Sequence, residues 1–168
     1  NLWRMGDPYG IFLASLTFPH LPRWIMRRAC HAQRRQPGAR VPEKSPTPQL
    51  AAGLVLAALA GEDAPGRVAA LSARHRAGGG FASAPGAPAD LLATAVARFA
   101  LLMSDSLEKK PGTDAACKAD LAFIEACWLD DGLFGPFPAA AQGDTEHTFY
   151  GLLALGTCRP DTGIMQNM

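Results

Sequence analysis

The chain has 168 residues, 48% of them hydrophobic and 18% charged, with a formal net charge of +1. At that length it can bury one core, so one domain is expected, and the near-zero charge gives no global pull toward nucleic acid. The four cysteines, at 30, 117, 127 and 158, lack C-x-x-C or any other zinc spacing and read as reduced core thiols of an intracellular, cytoplasmic protein without a secretory signal.

The first expected helix is apolar and runs over 9–18, after Asp7-Pro8. An amphipathic helix follows at 22–35, with Ile25, Ala29 and Ala32 on one side and arginines largely elsewhere. The arginines at 23–40 could bind phosphate, but such a charge run reads as a solvated outer face. Thr47-Pro48 then reads as an N-cap followed by proline at the first helical position. The apolar helix behind it covers 50–60. A weaker amphipathic helix spans 62–75, with Val68 and Leu71. A third apolar helix covers 91–103. Ser104 to Thr113 is a polar linker. In 114–128, Cys117, Leu121, Ile124 and Trp128 fall at i, i+4, i+7 and i+11 on one stripe, with Lys118, Asp120 and Glu125 off it. The last apolar helix covers 147–155, and 159–168 is a polar tail.

A helix without a polar face must be buried on all sides, whereas an amphipathic one keeps a face in water. The alternation therefore predicts an inner layer of apolar helices and an outer amphipathic layer, with Gly/Pro loops reversing the chain. No apolar run reaches the ~18–20 residues that would span a bilayer. Strand signals are nearly absent. The expected fold class is all-α.

The helices also repeat. Gly78-Gly79-Gly80-Phe81 leads to Asp90-Leu91-Leu92-Ala93-Thr94, and Gly132-Leu133-Phe134 leads to Asp144-Thr145-Glu146-His147-Thr148. Asp to Thr is four residues in both copies, and the copies are offset by 54. Pro8, Pro48 and Pro88, spaced by 40, mark fainter copies. The repeats fall at about 7–46, 47–87, 88–143 and an incomplete 144–158.

These motifs, with Phe149-Tyr150-Gly151-Leu152-Leu153-Ala154-Leu155-Gly156, resemble the repeats of the prenyltransferase and squalene-cyclase (terpenoid cyclase) superfamily. The resemblance covers roughly 45–158, and the last repeat is most similar to protein prenyltransferase β subunits. It implies an α/α toroid of helical hairpins that holds an isoprenoid or isoprenoid diphosphate. Seven expected helices make about half a ring. The chain is then a partial ring or open double layer, part of a longer enzyme or completed by a protein partner or by self-association. The resemblance also implies that His147-Thr148 supplies a zinc ligand, His147. The family's D-x-C pair falls on Asp90 and Leu92, so the thiolate is replaced by an alkyl group. Its diphosphate-holding basic residues fall on Ala84 and Ala87, and the aromatic after D-x-C falls on Ala93.

Each candidate has a second reading. His147 binds a metal, or hydrogen-bonds a loop carbonyl at a helix end. Asp90 and Asp144 recur at one repeat position, which favours helix capping. Asp130-Asp131 is similar to the cyclases' D-x-D-D acid, but Trp128 stands where its first Asp belongs, and Asp131-Gly132 is a turn. Trp128, Phe134, Phe137, Phe149 and Tyr150 line an isoprenoid pocket or pack one repeat on the next. The function expected is a prenyltransferase-like or terpene-cyclase-like domain binding or processing an isoprenoid, the alternative a non-catalytic repeat scaffold.

Overall fold

The computed structural model describes residues 44–104 and 115–158, together with Arg28. The helices expected at 9–18 and 22–35, Cys30, most of the linker and the tail lie outside the described residues. Five helices are described: α1 (Thr47–Ala60), α2 (Pro65–Ser72), α3 (Leu91–Met103), α4 (Ala115–Ala126) and α5 (Thr145–Cys158). Two antiparallel two-residue strands, β1 (Phe81–Ala82) and β2 (Ala89–Asp90), pair before α3. The described chain is thus mostly helical, as its composition leads one to expect, with one short hairpin that the strand signals miss.

α3 lies between α1 and α5 and packs along both, while α2 packs on α1 and α4 on α5. Among the described helices α3 is therefore the innermost. α1 and α3 run parallel. Thr47 at the start of α1 donates its backbone N–H to Ser83 O (2.8 Å), beside the hairpin that leads into α3. At the other end Ala58, Gly61, Met103 and Ser104 line one open cleft of about 660 Å³. α1 stops at Gly61, whose φ of 73° lets the last carbonyls be satisfied: Gly61 N–H donates to Ala58 O and Glu62 N–H to Ala57 O. This is a Schellman ending, cheap for glycine alone.

The core is a single cluster. It joins Leu50, Leu54 and Val55 of α1, Leu91, Val96 and Phe99 of α3, Ile124 of α4 and Ala154 of α5. α3 is buried from Ala93 to Leu101, as a helix between two others must be. No described helix is long and apolar enough to cross a membrane.

The repeat is a duplicated hydrogen-bonded unit. Asp90 Oδ1 accepts from Ala93 N–H (2.7 Å), Thr94 Oγ1 donates to Asp90 O (2.6 Å), and Phe81 N–H donates to Thr94 Oγ1 (2.9 Å). In the second copy Asp144 Oδ1 accepts from His147 N–H (2.7 Å), Thr148 Oγ1 donates to Asp144 O (2.7 Å), and Phe134 N–H donates to Thr148 Oγ1 (3.1 Å). Phe81 bridges His75 and Asp90, as Phe134 bridges Trp128 and Asp144. The ring pairs His75–Phe81 and Trp128–Phe134 meet edge-on at 5.0 and 4.9 Å. Gly79 and Gly132 open the turns with φ of 90° and 84°.

Several sequence readings need correction. Thr47 is not an N-cap: Pro46 holds that position without a side-chain cap, and Pro48 comes second in the helix. The Thr47 hydroxyl instead donates to Ala82 O (2.5 Å), tying α1 to the hairpin. The helix expected at 62–75 shrinks to Pro65–Ser72, because Pro65 starts it and His75 enters a β-bridge. α4 ends at Ala126, so Trp128 leaves the buried stripe and is 53% exposed, while Cys127 is buried in its place. α5 is not buried all round: Phe149 and Leu152 are 47% and 57% exposed.

Candidate functional site

The inner helices begin at one end of the molecule. Leu91 N–H, at the start of α3, donates to Pro136 O (2.8 Å), so the loop before α5 sits against the start of α3. Asp90, Asp144, Glu146 and His147 are titratable residues at the starts of α3 and α5. Each aspartate caps its own helix, satisfying an N–H that has no intrahelical acceptor. Backbone and side-chain hydrogen bonds from His147 hold the Asp144 carboxyl below its ordinary pKa.

His147 Nδ1 lies 2.8 Å from Asp144 Oδ2. The ionised carboxylate only accepts, so Nδ1 is the donor of this hydrogen bond. A carboxylate behind a histidine is how many metal-bound imidazoles are oriented. Further donors are lacking, however. The matching positions offer Asp90, whose Oδ1 is engaged in the cap, and Leu92, which has no donor atom. Among the described residues no group of three His, Cys, Asp or Glu side chains converges. These residues do not fit a three-ligand zinc site.

Asp130 and Asp131 are exposed, and Asp131 Oδ1 accepts from Leu133 N–H (3.0 Å), closing the Asp131-Gly132 turn. They act as turn residues rather than as a buried acid. Of the five aromatics, Phe134 and Tyr150 are buried, whereas Trp128, Phe137 and Phe149 are about half exposed. Gly151 makes room for Phe134: a Cβ there would stand 2.5 Å from the ring.

Among the described residues a buried ion pair lies elsewhere. Arg98 points from the middle of α3 into the joint with α4 and α5, and is 3% exposed. Its Nη1 donates to Asp120 Oδ2, its Nε to Thr157 Oγ1 (3.2 Å) and its Nη2 to Cys117 Sγ (3.4 Å). Asp120, 1% exposed, also takes Gly80 N–H (2.7 Å) and His75 Nε2 (2.8 Å) on Oδ1. Burial alone would lower the Arg98 pKa; the neighbouring Cys158 and Asp120 outweigh it, and the net shift is upward. Burial pushes the Cys158 and Cys127 thiols up to about 12, so neither is a thiolate nucleophile at neutral pH. The cluster holds one cation against one carboxylate across two units, out of water. Its geometry is that of a structural joint.

Sequence reasoning misses this cluster. It treats α3 as apolar throughout and places Asp120 off the α4 stripe. Two signals were present. A lone arginine in an apolar helix needs a buried acid. Cys117, Asp120 and Ile124 are themselves spaced i, i+3, i+7.

The described residues form a mostly helical fold in which one capping unit occurs twice. No family model, curated protein or solved structure matches the chain.

Proposed function

We propose that the chain is an α/α-repeat domain of the prenyltransferase and terpene-cyclase kind that binds an isoprenoid chain. One observation carries this reading: the Gly–Phe···Asp···Thr unit recurs with the same hydrogen bonds at the starts of α3 and α5. Such a unit sets successive inner helices parallel and in step, which is what a toroid segment requires. Phe137 and Phe149, both about half exposed, lie near the starts of α3 and α5 and offer ring faces to an apolar chain.

The same residues limit the chemistry. Leu92 in place of a cysteine, and Ala84 and Ala87 in place of basic residues, leave no zinc thiolate and no diphosphate clamp. Binding therefore comes from the apolar chain, and the diphosphate adds little. Titration calorimetry with geranylgeranyl diphosphate and with geranylgeraniol in detergent-free buffer is the test. Saturable binding of both, within a few-fold of each other and unchanged by a chelator, is expected. Absence of saturable binding to either overturns the reading. The second reading, a non-catalytic scaffold for protein binding or assembly, is favoured by the exposed Trp128 and Leu152.

A further inference from the structure

The joint between the two units has two halves. One half is the rear face of the first unit: His75, Gly79, Gly80 and Arg98. The other is α4, with Ala119, Asp120 and Phe123. Contact is close. A Cβ at Gly79 would stand 2.1 Å from Ala119 O, and one at Gly80 would stand 2.8 Å from the Phe123 ring. Gly80 N–H, His75 and Arg98 all bond the Asp120 carboxylate. An outer helix thus lies over a glycine turn and is locked by one buried ion pair.

The second unit carries the same face uncovered. The duplicated hydrogen bonds put Gly132 in the place of Gly79, Trp128 in that of His75 and Leu152 in that of Arg98. Nothing lies within 4 Å of a Cβ built at Gly132. Trp128 and Leu152 are 53% and 57% exposed. Two of the three groups that bind the Asp120 carboxylate have Trp128 and Leu152 as counterparts, and the third, Leu133 N–H in the place of Gly80 N–H, is taken by Asp131 Oδ1 (3.0 Å). A helix covering this face must bring a small residue to Gly132 and no acid opposite Leu152.

α2 is such a helix. It stands to the first unit as α4 stands to the second: Leu71 and Ile124 are both wholly buried, and Arg74 N–H donates to Leu71 O as Cys127 N–H donates to Ile124 O. By that equivalence Gly66 takes the place of Ala119 and Arg67 that of Asp120. Gly66 is exposed, with nothing within 4 Å of a Cβ built on it. Arg67 Nη1 turns back onto Gly53 O (2.5 Å). No carboxylate would be stranded against Leu152 and Trp128.

We propose that these two open half-joints mate between copies: the Trp128–Gly132–Leu152 face of one chain receives α2 of a second copy, head to tail. The contact continues the internal α4 joint, with Trp128 and Leu152 against α2 where His75 and Arg98 bond Asp120. It is heterologous, so each bound copy presents a further open face, and assembly proceeds to a ring or an open stack. It does not depend on isoprenoid binding.

The test is the mass of the purified chain by size exclusion with light scattering, over rising concentration. Leu152→Glu blocks one face and Gly66→Arg the other. Both positions are exposed, so both variants should keep the wild-type circular dichroism; Leu152→Gln serves if the glutamate variant does not fold. The wild type is expected to grow past a dimer. Each variant alone should be monomeric, and their equimolar mixture should stop at a dimer, since it holds one intact joint. A wild type that stays monomeric at every concentration overturns the proposal. So does a Leu152→Glu variant that still assembles. Gly66→Arg assembling normally would overturn it too, showing a two-fold contact between like faces or another surface. A mixture that stays monomeric also excludes it.

Discussion

At the scale of single residues, the strongest determinant is Asp120. One carboxylate compensates the buried guanidinium of Arg98 and satisfies the Gly80 N–H and His75 as well. Removing one partner of such a pair strands the other charge in a water-poor joint. Asp120→Ala should therefore destabilise the fold by about 3–5 kcal/mol in urea titration, and Arg98→Leu/Asp120→Leu should recover most of that loss. Equal destabilisation in the double variant would show that the pair holds the joint by more than charge compensation. The cysteines give a pH prediction. Burial raises the folded-state pKa of Cys127 and Cys158 to about 12 from an ordinary 9.0. Between those values the unfolded chain has lost the protons that the folded chain keeps, so stability falls as pH rises. Urea midpoints should drop from pH 9 toward 12, and Cys127→Ala/Cys158→Ala should flatten that limb. The sequence already places these cysteines in the core, but not the ion pair. Periodicity assigns polar residues to water by default, whereas Arg98 and Asp120 are inside because each brings the other.

At the scale of elements, the duplicated turn separates backbone strain from packing. Gly79 and Gly132 have nearly the same φ, 90° and 84°, but only Gly79 faces the carbonyl of Ala119. Gly132→Ala should cost about 1–2 kcal/mol, the penalty of a Cβ in the left-handed region. Gly79→Ala should cost that plus displacement of α4, on the order of 3 kcal/mol or more. Thermal melts of the two variants check this; equal shifts would mean that α4 does not press on the turn. The pairing of Asp with Thr four residues on was visible in the chain, and so was its recurrence. What those residues do was only half visible: capping by aspartate follows from position, but the Thr94 and Thr148 hydroxyls receiving a strand N–H does not. Helix ends were misplaced where loops claimed residues. Trp128 fits the α4 stripe by spacing, yet the chain turns at Cys127 and the ring packs on Phe134 instead.

At the scale of the whole molecule, α1, α3 and α5 pack side by side, and no described helix covers the outer flank of α5. Leu152 stands where the first unit has Arg98, and is exposed because no described helix covers it there. The isoprenoid reading belongs to this scale as well. Phe149→Ser should weaken geranylgeraniol binding about tenfold if the ring faces the chain, the loss of roughly 1.4 kcal/mol of contact. An unchanged affinity in calorimetry would move the ligand away from the start of α5.

The helical class and the recurrence of the Gly–Phe···Asp···Thr unit follow from the sequence alone, because each is a local or periodic pattern. The tertiary structure decided the rest. It brought Arg98, Asp120 and His75 together from positions 22 and 45 residues away from Asp120 and took Trp128 off its stripe. Those outcomes depend on which helix covers which turn, and burial of a charge is settled only by the partner that packing delivers.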